Sequence, residues 1–212
     1  MPTAGRDRPL DHASLLDGVR ELAASDPDLG GIVARHGPPP LWGREPGFAS
    51  LCLIILEQQV SLRSAEAAMR RLVAAAGSVT PEAIRSTGEA RLLAAGLTRQ
   101  KTRYLLALAD DVLAGRLDVA ALDALTDDDV RERLSAVIGI GRWTSDIYLV
   151  MALRRPDVWP LGDLALAAAL RRAKDLARLP GADEQQRIAA MWQPWRAVAA
   201  RILWHAYLAG ER

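Results

Sequence analysis

Apolar positions in this chain recur at spacings of three and four residues, a period that predicts helix almost throughout. Between Asp11 and Ala24, the residues Leu15, Leu16, Val19, Leu22 and Ala23 fall on one side of a helix. Ser25-Asp26-Pro27 reads as a stop followed by a new start, since proline is tolerated in a first helical turn. Leu29, Ile32 and Val33 carry the next apolar face, and Gly37-Pro38-Pro39-Pro40 predicts a loop. Met1 to Pro9, polar and proline-flanked, is expected to be a loose tail.

From Gly47 to Gln59 the pattern changes. Phe48, Leu51, Leu53, Ile54, Ile55 and Leu56 leave hardly any polar face, so this helix is expected in the middle of a helical domain. It ends abruptly at Glu57-Gln58-Gln59-Val60-Ser61, where Ser61 is placed to cap a helix running to Ala76 and Gly77 to stop it. Thr80-Pro81-Glu82 and Ser86-Thr87-Gly88-Glu89 predict two more helix starts. After Gly96 comes a helix with Tyr104, Leu105, Leu108 and Val112 on one face and the basic run Arg99, Lys101, Arg103 beside it. A short connector helix over Asp118 to Leu125 precedes Thr126-Asp127-Asp128-Asp129, whose acids complement the positive end of the helix they open. Met191 to Tyr207 reads as one helix started by Pro194. Strand patterns and repeats are lacking, so the expected fold class is all-α.

The rest is organised around Leu134 to Asp163. Two helical patterns flank Gly139-Ile140-Gly141, and the glycines allow backbone angles closed to other residues. Ile140 can fill the corner of a tight helical hairpin. The helix starting near Arg142 then offers unshielded N–H groups in its first turn, an anion site that on a helical hairpin suits a DNA phosphate. Past Leu153 the pattern breaks at Trp159-Pro160-Leu161-Gly162-Asp163, and an apolar helix follows. Taken by itself, Asp163 is an ordinary N-cap.

Composition narrows the chemistry. The chain has 212 residues, half of them hydrophobic, with a formal net charge of +1, which neither favours nor excludes nucleic acid. Cys52 is the only cysteine, so an internal disulfide and a four-cysteine iron–sulfur cluster are excluded; it is expected to be a small core residue. His12, His36 and His205 lack ligand spacing for zinc. With neither a signal peptide nor a membrane-length apolar run, a cytoplasmic bacterial monomer is expected.

The stretch from Leu134 to Asp163 resembles the helix-hairpin-helix, Gly/Pro-rich loop and aspartate signature of a DNA glycosylase superfamily. The nearest branch looks like the 3-methyladenine DNA glycosylase II type, and the resemblance covers roughly Asp26 to Tyr207. It implies two helical subdomains, Gly47 to about Pro156 and the remainder, with the active cleft between them. It also implies a catalytic aspartate at Asp163 and a base pocket at Trp143, Trp204 and Ile147. DNA contacts are implied at Gly139, Ile140, Gly141, Arg142 and Thr144, and at Gln58, Gln59 and Ser61, with Gln59 as the wedge that fills the gap left by a flipped base. Arg99, Lys101 and Arg103 are either a solvated face or further backbone contacts. Family hairpins that hold a monovalent cation suggest Na+ or K+ at the main-chain carbonyls of Ser135, Val137 and Ile140, and no other cofactor. Trp143 stands where bifunctional relatives carry a lysine nucleophile, which implies a monofunctional enzyme excising alkylated purines from double-stranded DNA. The rival readings are a non-catalytic DNA-binding module, which needs the hairpin but not Asp163, and a glycosylase for oxidised or mismatched bases.

Overall fold

A computed structural model of the chain describes residues 8–210. Of the expected N-terminal tail, residues 1–7 lie outside the described residues. The described residues form eleven α-helices and two short 3₁₀ turns, with no strand among them, so the all-α expectation holds. They divide into two compact units, one holding the segments up to Gly43 and from Leu149, the other Arg44–Tyr148. No helix among the described residues is long and apolar enough to cross a membrane.

The unit Arg44–Tyr148 is built on α3 (Phe48–Glu57), whose Leu51, Cys52, Ile54, Ile55 and Leu56 are completely buried. Burial pushes the Cys52 thiol far up, as befits an inert core residue. Around α3 lie α4 (Leu62–Ala76), α5 (Pro81–Ala94) and α6 (Arg99–Leu113); α3 packs on α4 and α6, and α5 packs on α6. Ser61, Thr80, Thr98 and Thr126 each cap their helix through a side-chain oxygen. The second start expected at Ser86-Thr87 appears as a break inside α5, where Gly88 leaves helical geometry. The expected connector helix shrinks to a 3₁₀ turn, Leu122–Ala124. α7 (Asp127–Ser135) and α8 (Arg142–Met151) form the hairpin, and α8 runs past the unit boundary at Tyr148.

The other unit contains α1 (His12–Ser25), α2 (Pro27–His36), α9 (Leu164–Ala173), α10 (Ala182–Ala189) and α11 (Arg196–Leu208). α11 is its axis, with nine buried residues, and packs on α9, α2 and α1. Arg201 lies within α11 and is fully buried; it donates to the carbonyls of Trp42 and Val150, 2.8 Å each. Burial pulls its guanidinium down to about 10.

One expected element is corrected here: α11 starts at Arg196, not at Met191. Ala190–Trp192 is a 3₁₀ turn, and Gln193, ahead of Pro194, takes the extended conformation that proline imposes on its predecessor. The N-terminus of α11 has no side-chain cap of its own. Instead Asp157 Oδ1 accepts from the Arg196 N–H at 3.2 Å, and the Pro156 carbonyl accepts from the Ala197 N–H at 3.0 Å. The carboxylate of Asp157 also takes the Arg196 guanidinium at 2.8 and 2.9 Å.

Asp26 ties this unit together. Its carboxylate caps α2, accepts the Lys174 ammonium at 2.7 and 2.8 Å, and accepts the Trp192 indole N–H at 2.7 Å. Burial raises its pKa, but the hydrogen bonds from Lys174, Trp192 and the Leu29 N–H outweigh it and hold the group below its ordinary value. A depressed folded pKa means stability that is complete above the unfolded value of about 3.9 and is lost as pH falls through the folded one. Asp26→Asn should therefore cost about 2–4 kcal/mol at pH 7. It should also flatten the acid limb of unfolding free energy against pH. Parallel acid limbs in the two proteins would assign the acid sensitivity to other carboxylates.

Candidate functional site

The hairpin turn is set by one residue. Gly139 has φ +89°, a left-handed angle costly for any side chain, and a Cβ built there would lie 2.2 Å from Tyr104 Cγ. The Tyr104 ring of α6 therefore rests directly on the Gly139 backbone. Ile140 turns inward and is 4% exposed, and its N–H donates to the Val137 carbonyl at 3.1 Å. Ile138, at the tip, is 59% exposed. A Cβ on Gly141 would meet nothing within 4 Å, so the start of α8 faces open space. An α-helix leaves its first N–H groups without helical acceptors, and such an open end attracts anions. Beneath the turn Asp146, fully buried, accepts from Arg131 of α7 at 2.7 Å and from Arg142 at 2.8 Å. Arg142 is thus held along its own helix while its side chain stays 55% exposed.

The polar patch at the end of α3 meets this hairpin. Gln58 Nε2 donates to the Gly139 carbonyl at 2.8 Å and to Thr144 Oγ1 at 3.0 Å. Gln59, the next residue, takes a left-handed φ of 57° and is exposed. Ser61 accepts from the Ser64 N–H at 3.2 Å and starts α4. The basic run of α6 is mixed in its use. Lys101 Nζ donates to the Leu56 carbonyl at 2.5 Å, where burial pulls its pKa down. Arg103 lies 5.3 Å from the Tyr104 ring centroid, and Arg99 is exposed.

In the other unit Asp163 caps α9, with Oδ1 accepting from the Leu166 N–H at 2.7 Å. The same oxygen lies 3.4 Å from Trp204 Nε1 of α11, and Trp204 is 8% exposed. The residue before it, Gly162, has φ +89°, a left-handed angle that favours glycine.

The structure thus joins the expected residues into two groups. Gln58, Gly139 and Thr144 are directly bonded, with Gln59, Ser61, Ile140, Gly141 and Arg142 adjoining them. Asp163 and Trp204 form the second group. On α8, half-buried Trp143 and buried Ile147 sit one turn apart on one face. Sequence reasoning missed Tyr104 as the support of Gly139 and Asp146 as the anchor of Arg131. The i,i+4 spacing of Arg142 and Asp146 was a usable signal; the contact between Tyr104 and Gly139 had none. Trp192 proves to be core, 1% exposed, and Trp42 packs edge-on against His205 at 6.1 Å.

Residues 52–197 match the model of the HhH-GPD superfamily of base excision DNA repair proteins. The chain belongs to that family. A DNA-3-methyladenine glycosylase of Bacillus subtilis is 27% identical over 196 residues, covering 87% of this chain and 65% of the relative. The chain thus spans just under two thirds of that relative's length. DNA-3-methyladenine glycosylase 1 of Schizosaccharomyces pombe is 26% identical over 177 residues, covering 82% of this chain and 78% of that one. Among solved structures, the S. pombe 3-methyladenine DNA glycosylase Mag1 in complex with abasic DNA is similar with a TM-score of 0.83 and 25% identity. That match covers 92% of this chain and 98% of the other.

Family membership makes the hairpin the first target for mutation. Gly139→Ala must both strain the backbone and displace Tyr104, so it should lower stability by about 2–4 kcal/mol. Tyr104→Ala in the same protein should recover part of that loss, because it removes the clash and leaves the strain. Gly141→Ala, facing open space, should shift the melting temperature by less than about 2 °C. Equal destabilisation by the two alanines would show that the turn is not set at Gly139.

Proposed function

We propose that the chain is a monofunctional DNA glycosylase that flips alkylated purines, of the 3-methyladenine and 7-methylguanine type, out of double-stranded DNA and excises them. The carboxylate of Asp163, held by the Leu166 N–H and facing the Trp204 indole, carries this reading. Breaking an N-glycosidic bond sends the bonding pair to the base and leaves positive charge on the sugar. A fixed carboxylate stabilises that charge and can orient the water that adds to the sugar carbon and gives up a proton. A base alkylated on its ring is already cationic and leaves neutral, so it needs no general acid. Aromatic faces, offered in this reading by Trp143 and Trp204, attract a cationic base by about 0.5–2 kcal/mol. The relatives named for 3-methyladenine support this substrate class.

The placing of the lysines supports a reading without lyase activity. The chain has two, Lys101 and Lys174, neither of them in the hairpin. Imine formation on the abasic sugar needs a neutral amine. Lys174 is paired with Asp26 and Asp28, which outweigh its burial and raise its pKa, keeping it protonated. Burial pulls the Lys101 pKa down and so favours its neutral amine; what supports the reading there is its place on α6, outside the hairpin, with its amine donating to the Leu56 carbonyl. At the hairpin the carbonyls of Ser135, Val137 and Ile140 would hold a monovalent cation. The Val137 carbonyl already takes one N–H, but a carbonyl has two lone pairs, so the two roles are compatible. Such an ion would add positive charge beside the phosphate.

The direct test is release of free bases from methylated DNA. Asp163→Asn should lower single-turnover excision about 10²–10³-fold while the protein stays folded; a near-native rate would move catalysis to another residue. Borohydride should trap no covalent protein–DNA adduct, and a trapped adduct lost in Lys101→Met would overturn the monofunctional assignment. Trp204→Phe keeps a ring but removes the donor facing Asp163, and should cost about threefold to tenfold. Trp204→Ala should cost more, and hurt 7-methylguanine about fivefold more than hypoxanthine. Equal losses on both bases would mean that the ring does not recognise charge.

A further inference from the structure

We infer that Gln58 is a positioning residue that couples the exposed loop Gln59-Val60 to the hairpin turn, so that wedge entry and the hairpin's grip on phosphate form one cooperative event; this rests on the DNA-binding reading above. The argument begins with the backbone. Gln58 leaves helical geometry at the end of α3, φ −55° and ψ 124°, and Gln59 follows with a left-handed φ of 57°, a turn closed by the Val60 N–H donating to the Glu57 carbonyl at 3.4 Å. This sequence of angles directs the two glutamines differently: Gln59 is exposed, while Gln58 is half-buried.

The Gln58 amide nitrogen has two protons and meets two acceptors, the Gly139 carbonyl at 2.8 Å and Thr144 Oγ1 at 3.0 Å. A carbonyl can only accept, so the nitrogen end of the amide must face it. Both acceptors are fixed points. Gly139 is pinned by its backbone angle and by the Tyr104 ring, and Thr144 is 1% exposed. The end of α3 is braced as well. Glu57 takes the Arg44 guanidinium at 2.6 and 2.9 Å, and the Leu56 carbonyl takes Lys101 Nζ at 2.5 Å. On the far side Ser61 is committed to capping α4. Two exposed residues, Gln59 and Val60, therefore span a short gap between anchored neighbours, and the Gln58 amide links that gap to the hairpin. If Gln58 bound DNA with this amide nitrogen, both hairpin bonds would have to break, so a coupling role agrees better with the geometry than a DNA contact.

The test is a double-mutant cycle read by duplex affinity at one fixed salt concentration. Gln58→Glu keeps the shape but replaces the donor with an acceptor facing a carbonyl; Gln58→Ala removes the amide. Both should weaken binding to a duplex with an abasic-site analogue by about fivefold to tenfold, and to an undamaged duplex by less than about twofold. Gln59→Ala should weaken abasic-site binding in the wild-type background and add less than about twofold in either Gln58 variant. In DNA-free protein, amide exchange at Gln59–Ser61 and at Gly139–Gly141 should quicken together in both Gln58 variants. Additive losses in the cycle, with wild-type binding intact, would overturn the coupling while leaving the glycosylase reading standing. Equal weakening on both duplexes would reduce Gln58 to a structural brace. Wild-type protein that binds neither duplex would remove the DNA-binding reading, and with it the coupling to DNA; unlinked exchange rates would overturn the coupling within the protein itself.

Discussion

A backbone angle that only glycine adopts cheaply sets the geometry of the hairpin. Because Gly139 takes φ +89° and brings its backbone against the Tyr104 ring, the chain reverses in three residues and α8 starts in the open. Everything else in that region attaches to this point. The Gly139 carbonyl is turned toward Gln58, Ile140 closes the corner, and Asp146 holds α7 to α8 through Arg131. Any other residue at 139 would have to strain or reopen the turn and displace the Tyr104 ring.

In the other unit carboxylates do the organising. Asp26, Asp157 and Asp163 each satisfy backbone N–H groups at the start of a helix, and each also faces a side-chain donor: Lys174 and Trp192, Arg196, and Trp204 respectively. A carboxylate can do both because it offers about four acceptor positions. In the proposed mechanism, capping a helix and supporting a developing cation are compatible roles for Asp163: the cap holds the carboxylate still, and preorganisation makes an electrostatic catalyst effective. Gly162 belongs to the same device, since its left-handed angle delivers the chain to the cap.

Local rules were legible in the sequence; tertiary substitutions for them were not. Ser61, Thr80, Thr98 and Thr126 cap helices where serine and threonine before an apolar period say they should, and the all-apolar α3 is buried as its composition demands. The start of α11 failed because its cap comes from Asp157, 39 residues earlier in the chain, and a proline was credited instead. The hairpin glycines were read as a pair with one role, whereas Gly139 is needed for its angle and its contact, and Gly141 for the space in front of it. Gln58 could be singled out as part of a polar patch, but its bonds to residues 81 and 86 positions away are a property of the fold. The site residues are a third case. Asp163 and Trp204 were placed by resemblance, and nothing in local spacing indicates that an indole 41 residues downstream faces that carboxylate.

The charge balance follows from the same economy of contacts. A net charge of +1 is unusually modest for a chain proposed to grip a polyanion. Many of its cations are already engaged: Arg44 with Glu57, Arg131 and Arg142 with Asp146, Arg196 with Asp157, Lys174 with Asp26. In the proposed complex the anion contacts then fall largely to backbone N–H groups at the open end of α8, supported by the exposed flank of Arg142. Backbone dipoles fixed by a rigid turn hold phosphate without the large condensed counterion exchange that a row of lysines would bring. They also cannot read bases, since they reach only the phosphate. In the proposed function, selectivity then arises where the base itself is handled: at an aromatic face that favours a cation, and at a carboxylate that favours the charge left on the sugar. A sequence-blind grip and a demanding cleavage step would suit the proposed enzyme, which samples intact duplex and acts on rare, already labile bases.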